Sequence, residues 1–341
     1  MGVTRQIKVG ILTAPHIEFE QRANTFILKN VRIGIGFHWD RYEDQEFAGT
    51  LTIRNNADGT QTAINTIDLE DYLCSVISSE MNANSPMELL KAHAVISRSW
   101  AIRAMQKPNH EGFDVCADDH CQRYEGLRRM SERAVEAVRA TAGQVLLYND
   151  EICDCRYYKC CGGKTEIWRT CWEDIDVPYI QSVRCDYCKS PSPKILRLVL
   201  NDYDQETKDF RDWKVTYKDE ELNEIIRTKS GIDFGEIIDL IPLHRGASGR
   251  IDQLRIVGTK HTEVIGKELK IRYWLSRSCL YSSWFEVAHE NGVWTLSGHG
   301  WGHGAGLCQI GAAVMATEGK TYEEILTYYY PGTRLNEKMR K

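Results

Sequence analysis

Residues 85–102 read SPMELLKAHAVISRSWAI, and this stretch predicts the helix around which the rest of the chain is organised. Ser85 is a candidate N-cap, Pro86 stands at the first helical position, and Glu88 follows the cap by three residues, which is the pattern of a capping box. Apolar residues recur on successive turns, so we expect the helix to be largely buried. Pro108 is expected to end it, because proline disrupts a helix interior.

Strand signals dominate the chain before this helix. Residues 31–35 (VRIGI) and 50–53 (TLTI) are alternating or β-branched, and residues 55–59 (NNADG) form a turn signal. This pattern predicts an antiparallel β lobe.

Helices and strands alternate after the central helix. Residues 131–142 predict a second helix that stops at Gly143, residues 144–158 predict a hairpin, and residues 321–329 predict a last helix. We therefore predict an α+β protein with mixed, largely antiparallel β lobes packed around a central buried helix.

The composition excludes several classes of protein. The 341 residues carry 43 Lys+Arg against 48 Asp+Glu, a formal net charge of −5, which argues against nucleic acid as a partner. No stretch approaches the roughly 18 apolar residues of a membrane helix, so we expect no transmembrane segment. The apolar run Val9–Leu12 is too short for a signal-peptide core. The protein is therefore either cytoplasmic or exported by a segment outside this sequence.

A first group of metal-ligand residues lies between residues 110 and 121. His110, Cys116, His120 and Cys121 place two thiols and two imidazoles within twelve residues, the composition of a Cys₂His₂ zinc site. Four protein ligands leave no open position, so a zinc ion here would be structural. The alternative interpretation is one or two free cysteines and a solvated His110.

A second group of cysteines follows it. Seven of the twelve cysteines fall within residues 153–188, a density that is hard to ascribe to packing. Another zinc ion, a set of disulfides or an iron–sulfur cluster would each be compatible, and the residues alone do not choose among them. The candidate members of this possible second metal or disulfide cluster are Cys160, Cys171, Cys185 and Cys188.

Residues 71–81 (DYLCSVISSEM) contain the candidate catalytic residue, Glu80. We expect Glu80 to lie in the connection that precedes the central helix. A carboxyl group at the mouth of a buried helix is partly desolvated, which raises its pKa and allows it to protonate a leaving oxygen. The alternative is an ordinary solvated loop residue, which the residues alone would favour.

Five motifs in order resemble the SpoIID/LytB family over nearly the whole chain. They are residues 72–101, residues 162–166 (GGKTE), residues 178–183 (PYIQSV), residues 298–312 (GHGWGHGAGLCQIGA) and residues 328–333 (YYYPGT). The resemblance implies a lytic transglycosylase that cleaves the glycan strands of peptidoglycan and leaves 1,6-anhydro-MurNAc ends. It also implies an alternative, the LytB proteins, which enhance a wall amidase without catalysis.

In the transglycosylases of this family, the glutamate that matches Glu80 is the catalytic acid/base, and the arginine that matches Arg98 is important for activity. Glycoside hydrolases usually need a second carboxylate, whereas in lytic cleavage the sugar's own 6-hydroxyl is the nucleophile. Arg98 is expected to orient Glu80 or a substrate carboxylate through its donor fork; the alternative is a surface or capping arginine. The stretch 110–121 also resembles one that binds zinc in some SpoIID proteins.

The glycine/histidine motif is expected to line an extended substrate groove, because dense glycine permits positive φ and close backbone approach. The residues assigned to this groove are His299, His303, Gln309 and Lys164. A satisfied structural role is the alternative for the two histidines. The family usually has serine where this chain has Cys308, which makes Cys308 a doubtful nucleophile.

We expect four segments: an N-terminal β lobe (1–70), a SpoIID-like catalytic core with the zinc loop (71–189), a charged surface insertion carrying one amphipathic helix (190–233), and a C-terminal part with the glycine/histidine motif (234–341). The resemblance implies peptidoglycan glycan strands, and a wall amidase or hydrolase, as partners. It implies a location in the cell envelope or outside the cell. The many thiols fit a reducing compartment better, so the cytoplasm is the alternative location.

Overall fold

Residues 5–35, 40–118, 120–189, 191–200 and 211–336 are described by a computed structural model. Helices mix with mainly antiparallel strands, which confirms the predicted α+β class. The first elements are β1 (Gln6–Ala14), β2 (Phe19–Gln21), β3 (Thr25–Ile33), β4 (Arg41–Ala48), β5 (Thr50–Asn55), β6 (Gln61–Asp68), α1 (Leu69–Glu80), α2 (Met87–Gln106), β7 (Val115–Cys116), α3 (Glu132–Ala140), β8 (Leu146–Tyr148), β9 (Glu151–Ile152) and β10 (Tyr157–Tyr158).

The later elements complete the described chain. They are α4 (Trp168–Cys171), α5 (Pro193–Val199), β11 (Asp212–Lys218), α6 (Asp219–Ser230), β12 (Ile237–Arg245), β13 (Ile251–Gly258), β14 (Thr262–Ile265), α7 (Glu268–Trp274), β15 (Phe285–Glu290), β16 (Val293–His299), β17 (Leu307–Cys308), α8 (Gln309–Thr317), α9 (Tyr322–Tyr329) and β18 (Arg334–Leu335). The predicted second helix, hairpin and last helix correspond to α3, β8–β9 and α9.

Two sheets form the N-terminal lobe. Their strand orders are β5-β6-β1-β7 and β2-β3-β4, and every pairing is antiparallel except that of β1 with β7. Phe26 of β3 and Phe47 of β4 are buried and stack with ring centroids 5.5 Å apart. The strands predicted for this part of the chain are present.

The central helix α2 is buried over most of its length, as its apolar pattern predicts. It packs against α1, α3, α8 and α9. The predicted capping box is wrong, because Ser85 and Glu88 bond elsewhere. The Ser85 hydroxyl donates to the carbonyl of Leu198, and the Glu88 carboxylate accepts from Lys91 and from the backbone N–H of Tyr322. Both side chains thus join distant segments to α2.

Helix α1 differs from the expectation for the segment around Glu80. Asp68 caps the N-terminus of α1 by accepting a hydrogen bond from the backbone N–H of Glu70. The helix then continues to Glu80, so Glu80 is the last helical residue and does not lie in the connection. Its apolar residues are buried together, which gives this segment enough packing energy to be helical.

A second hydrophobic core lies in the C-terminal half. It is built on the sheets β11-β16-β15 and β12-β13-β14, with Trp213, Leu222 and Trp294 among its buried members. Strand β11 and helix α6 belong to the segment expected to be a surface insertion, yet β11 pairs with β16 along its whole length. Residues 190 and 201–210 of that segment lie outside the described residues. Residues 211–230 are therefore part of the C-terminal sheet and not a separate insertion, while α6 is the predicted amphipathic helix, with Leu222, Ile225 and Ile226 buried.

Candidate active site

A cleft of about 580 Å³ lies between α1, the loop after α2, β10 and the glycine/histidine motif. It contains the expected catalytic carboxylate and three of the expected zinc ligands. The lining residues used below are Glu80, Trp100, Asp114, His110, His120, Cys121, Arg123, Arg156, Tyr157, Trp168, Trp172, Glu173, Glu268, Trp301, His303 and Gln309. Side chains from distant parts of the sequence thus converge on Glu80.

Glu80 is half-buried at the C-terminal end of α1. Its Oε1 accepts a hydrogen bond from the backbone N–H of Arg123 and another from the hydroxyl of Tyr157, each at 3.0 Å. Burial, reinforced by the neighbouring Glu80 carboxylate, raises the pKa of Tyr157 well above its ordinary value. Tyr157 therefore stays protonated and acts as a donor to Glu80.

His93 and Gln309 support this arrangement from behind. The fully buried His93 ring lies 4.3 Å from the ring of Tyr157 between centroids, and its Nε2 lies 3.1 Å from the side-chain amide nitrogen of Gln309. Burial, together with Lys159, lowers the pKa of His93 to about 3. A neutral His93 accepts the Gln309 hydrogen at Nε2 and donates from Nδ1 to Ser97, 3.2 Å away.

Arg98 does not take the predicted role. Its guanidinium is 1% exposed and forks onto Glu70, with Nε 2.8 Å from Oε1 and Nη2 2.7 Å from Oε2. It also donates to the carbonyls of Gln144 and Val138. Within the described chain these bonds join α1, α2 and the end of α3, and none of them reaches Glu80. Burial against these partners keeps Arg98 out of the cleft.

Two of the four residues expected in the groove line the cleft. His303 is held at both ring nitrogens: Nδ1 accepts from the N–H of Ala305 and Nε2 donates to the carbonyl of Tyr157. Burial, aided by Arg156, pushes the pKa of His303 well below its ordinary value, so the ring is neutral. Gln309 lines the cleft as predicted.

The structure places the other two residues expected in the groove elsewhere. His299 and Lys164 are not among the described residues that line this cleft. His299 is the last residue of β16, and its Nδ1 lies 2.6 Å from an Asp212 carboxylate oxygen on the paired strand. Lys164 is exposed in a bridge that pairs its backbone with Arg184.

The four predicted zinc ligands do come together. The ligand atoms of His110, Cys116, His120 and Cys121 all lie within 4.8 Å of one another. His110 Nε2 is 3.2 Å from Cys121 Sγ, and His120 Nδ1 is 3.5 Å from Cys121 Sγ and 3.9 Å from Cys116 Sγ. A tetrahedral zinc ion places its nitrogen and sulfur ligands roughly 3.3 to 3.8 Å apart. These residues therefore fit a zinc ion.

The electrostatics of this group suit a cation. Hydrogen bonding from the Cys121 thiol, and then from His120, lowers the pKa of the Cys116 thiol to about 4. A thiolate is the form of cysteine that binds metal. Strand β7 fixes Cys116 by pairing with β1, and His110 stacks on Phe113 with centroids 4.7 Å apart.

Comparison with known proteins finds similarity to sporulation proteins. A family model described as "Stage II sporulation protein" (SpoIID) matches residues 57–148, and one described as a domain of unknown function (DUF8618) matches residues 166–306. The stage II sporulation protein D of Bacillus subtilis is 29% identical over 290 residues, covering 81% of this chain and 76% of that protein.

The chain is similar to proteins of the SpoIID/LytB family. Other relatives are an uncharacterised protein of Brachyspira hyodysenteriae, 29% identical over 84% of this chain and 71% of that protein, and an amidase enhancer of Bacillus subtilis, 26% identical over 77% of this chain and 40% of that protein. No described helix is long and apolar enough to cross a membrane.

The SpoIID match contains Glu80, Arg98 and all four residues of the His/Cys group, whereas Tyr157, His303 and Gln309 lie beyond it. The site is therefore assembled from both halves of the chain. Sequence reasoning missed Tyr157 as a partner of Glu80. The sequence places Tyr157 in a short predicted strand, and that position does not indicate a contact with α1.

The second cysteine group contains two of the four expected members, Cys185 and Cys188, together with Cys161 and Cys308. The sulfurs of Cys161, Cys185, Cys188 and Cys308 all lie within 4.8 Å of one another, and all four residues are buried. Cys171 is wrong as a member, because its thiol donates to the carbonyls of His303 and Ile167. Cys160 hydrogen-bonds with Cys188 and Cys308 but is not one of the four.

Proposed function

We propose that this protein is a peptidoglycan lytic transglycosylase with Glu80 as its acid/base residue. One observation carries the proposal: the Glu80 carboxylate lies on the wall of the cleft, and Tyr157 and the Arg123 backbone fix its position. A proton donor has to be held in one place to reach a glycosidic oxygen.

The cleft offers surfaces that suit a sugar chain. Trp100, Trp168, Trp172 and Trp301 line it, and Arg156 lies over the first three of these rings at 5.8, 5.1 and 4.8 Å from their centroids. Aromatic faces pack against the apolar faces of sugar rings, and an arginine provides donors for a lactyl or peptide carboxylate. We expect muramic acid residues to bind along this surface.

Other carboxylates in the cleft have structural partners. Among the described lining residues, Asp114 accepts from the backbone N–H of Lys8, Glu173 accepts from the indole N–H of Trp168, and Glu268 pairs with Arg272. Each of these carboxylates stabilises a neighbouring segment. Glu80 also has partners, in the Arg123 backbone and Tyr157, and it is preferred because it is the glutamate that the resemblance to the SpoIID transglycosylases implies as the acid/base.

A single carboxyl group is sufficient for the lytic reaction. Glu80 first donates its proton to the oxygen that links C1 of MurNAc to C4 of GlcNAc, and the C1–O bond breaks to leave the GlcNAc 4-hydroxyl. The 6-hydroxyl oxygen of the same MurNAc then bonds to C1, and its proton goes to the Glu80 carboxylate. The product is a 1,6-anhydro end, no water is consumed, and Glu80 is protonated again.

The His/Cys group is proposed to hold a structural zinc ion. Its four ligands complete a tetrahedron, so the ion would brace the loop and leave no position for substrate. The same loop continues from Cys121 to Arg123, whose backbone N–H donates to Glu80. We infer that zinc stabilises the position of the carboxylate without taking part in bond cleavage.

The similarity to an amidase enhancer favours a second candidate function, a wall-binding protein that stimulates an N-acetylmuramoyl-L-alanine amidase. Both functions place the protein in the cell envelope with peptidoglycan as its partner. Incubation of purified protein with isolated glycan strands, followed by mass spectrometry, separates the two. A transglycosylase yields 1,6-anhydro-MurNAc ends on its own, whereas an enhancer yields none and only accelerates an added amidase.

A further inference from the structure

Four buried cysteines form a group that neither the family comparisons nor the proposed reaction explains. Cys161 follows β10, Cys185 and Cys188 lie in one turn, and Cys308 lies at the start of α8. We propose that Cys161, Cys185, Cys188 and Cys308 bind a second zinc ion, as a buried tetrathiolate site. This inference does not depend on the proposed transglycosylase activity.

The geometry suits one metal ion. All four sulfurs lie within 4.8 Å of one another, and each residue is completely buried. A mononuclear tetrathiolate site with zinc–sulfur bonds of about 2.3 Å has sulfurs roughly 3.8 Å apart. The spacing Cys185-x-x-Cys188 is typical of zinc sites in which one turn supplies two ligands. An iron–sulfur cluster binds each thiolate to one of several irons and needs a wider ring of sulfurs.

The surroundings place hydrogen-bond donors on the sulfurs. The backbone N–H of Cys161 and that of Gly311 each donate to Cys308 Sγ at 3.3 Å, and the N–H of Gly163 donates to Cys161 Sγ at the same distance. Donors that point at sulfur stabilise thiolates, and thiolates are the form that binds metal. Several thiolates this close in a buried interior require a cation to offset their repulsion.

Helix α8 approaches this group closely because of one glycine. A Cβ atom on Gly311 would lie 2.9 Å from Cys185 Sγ and 2.2 Å from the Tyr329 hydroxyl oxygen. Tyr329 in turn lies 3.2 Å from Cys185 Sγ. The absence of a side chain therefore lets the N-terminal end of α8, with its partial positive charge, face the sulfurs.

Disulfide bonds are the competing explanation. Cys161 Sγ and Cys188 Sγ are 3.0 Å apart, and none of the described cysteines is bonded to another. Two disulfides would use up four thiols in pairs, but they would not require the convergence of all four sulfurs on one point. Convergence of the whole set favours a metal ion.

The proposed ion would join three segments that are far apart in sequence. Cys308 is the residue before Gln309, which lines the cleft and contacts His93. The tetrathiolate site would thus fix the end of the glycine/histidine motif, as the His/Cys group fixes the loop on the other side of Glu80. Loss of the ion would loosen α8 before it affected the N-terminal lobe.

The first test is metal analysis by mass spectrometry on protein purified without added chelator. The Cys116→Ser/Cys121→Ser variant removes the His/Cys group and leaves the tetrathiolate group untouched. We expect this variant to retain about one zinc ion per chain. Absence of metal from it would overturn the proposal, and iron in place of zinc would overturn the identity of the ion.

Cobalt provides a second, spectroscopic measurement. In the same variant, Co²⁺ bound by four thiolates should give the strong sulfur-to-metal absorption and visible bands of a tetrahedral tetrathiolate. Adding Cys188→Ser should abolish this spectrum, whereas adding Cys171→Ser, a buried cysteine outside the group, should leave it unchanged. Disulfide mapping that finds Cys161, Cys185, Cys188 and Cys308 paired would contradict the proposal.

Discussion

The hydroxyl of Tyr157 donates a hydrogen bond to Glu80 Oε1 at 3.0 Å, across 77 residues of sequence. This bond connects the end of α1 to β10 and fixes one oxygen of the candidate acid/base. The backbone N–H of Arg123 supplies the second donor to the same oxygen. The position of the carboxyl group therefore depends on both the loop that carries the His/Cys group and β10.

Tyr157→Phe should lower the turnover number on isolated glycan strands about tenfold, because one hydrogen bond to the acid/base is lost. The change in KM should be smaller, since the phenyl ring keeps the packing against His93. Release of anhydro products over time measures both. Tyr158→Phe is the matched control, because the buried Tyr158 hydroxyl has no hydrogen-bond partner among the described residues. Equal activity of the two variants would remove Tyr157 from the mechanism.

Arg98→Ala should destabilise the fold by about 2 kcal/mol or more, since it leaves buried carbonyls without donors and Glu70 without its partner. Glu70 is about a third exposed, which limits the cost. Urea unfolding measures the loss. The exposed Arg139→Ala should change stability little. If Arg98 acts structurally, each folded molecule of Arg98→Ala keeps its activity on glycan strands. A folded but inactive variant would instead indicate a direct role of Arg98 in the reaction.

Cys121→Ser should release zinc from the His/Cys group and increase hydrogen exchange in the peptide that contains Arg123. Activity should fall with it, because the Arg123 N–H would no longer be held against Glu80. Cys279→Ser is the control, since Cys279 belongs to neither metal-ligand group. Loss of zinc with unchanged exchange around Arg123 would contradict the proposed bracing.

Acid should destabilise the protein through His93 and His303. Burial depresses both pKa values in the folded state, that of His93 to about 3, so the unfolded state binds more protons below about pH 6.5. Stability present above that pH is therefore lost as the pH falls, at roughly 1.4 kcal/mol per pH unit for each histidine. Urea unfolding of the native protein and of His93→Gln between pH 7 and 5 gives the free energy of unfolding at each pH. This free energy should fall less steeply with decreasing pH in the variant. Equal pH dependence in the two proteins would contradict the depressed pKa of His93.

Local signals in the sequence were enough for α2, α3 and the His/Cys group, because the relevant residues are neighbours in the chain. His110, Cys116, His120 and Cys121 come from one loop, and their composition, together with the resemblance to a zinc-binding stretch of SpoIID proteins, predicted their convergence. The group of Cys161, Cys185, Cys188 and Cys308 joins three separate segments, and no spacing rule connects Cys308 to Cys161. Which cysteines belong to this group becomes evident only from the three-dimensional structure.

The predictions for Ser85, Arg98 and His299 were wrong because these side chains bond to partners that are distant in the sequence. Ser85 fits a capping box by pattern, but its hydroxyl bonds to Leu198, 113 residues away. Arg98 was expected to reach Glu80, yet the carboxylate of Glu70 lies closer to its guanidinium once α1 and α2 pack together. His299 and His303 are four residues apart in one motif, but β16 directs the first to Asp212 and the cleft contains only the second of the pair.

The most direct test of the central claim is mass spectrometry of isolated glycan strands incubated with the native protein, Glu80→Gln and Glu173→Gln. Glu173 is a second carboxylate of the same cleft, bonded to Trp168. The account predicts 1,6-anhydro-MurNAc ends from the native protein and from folded Glu173→Gln, and none from folded Glu80→Gln. Undiminished anhydro product from Glu80→Gln, or no anhydro product from the native protein, would contradict it.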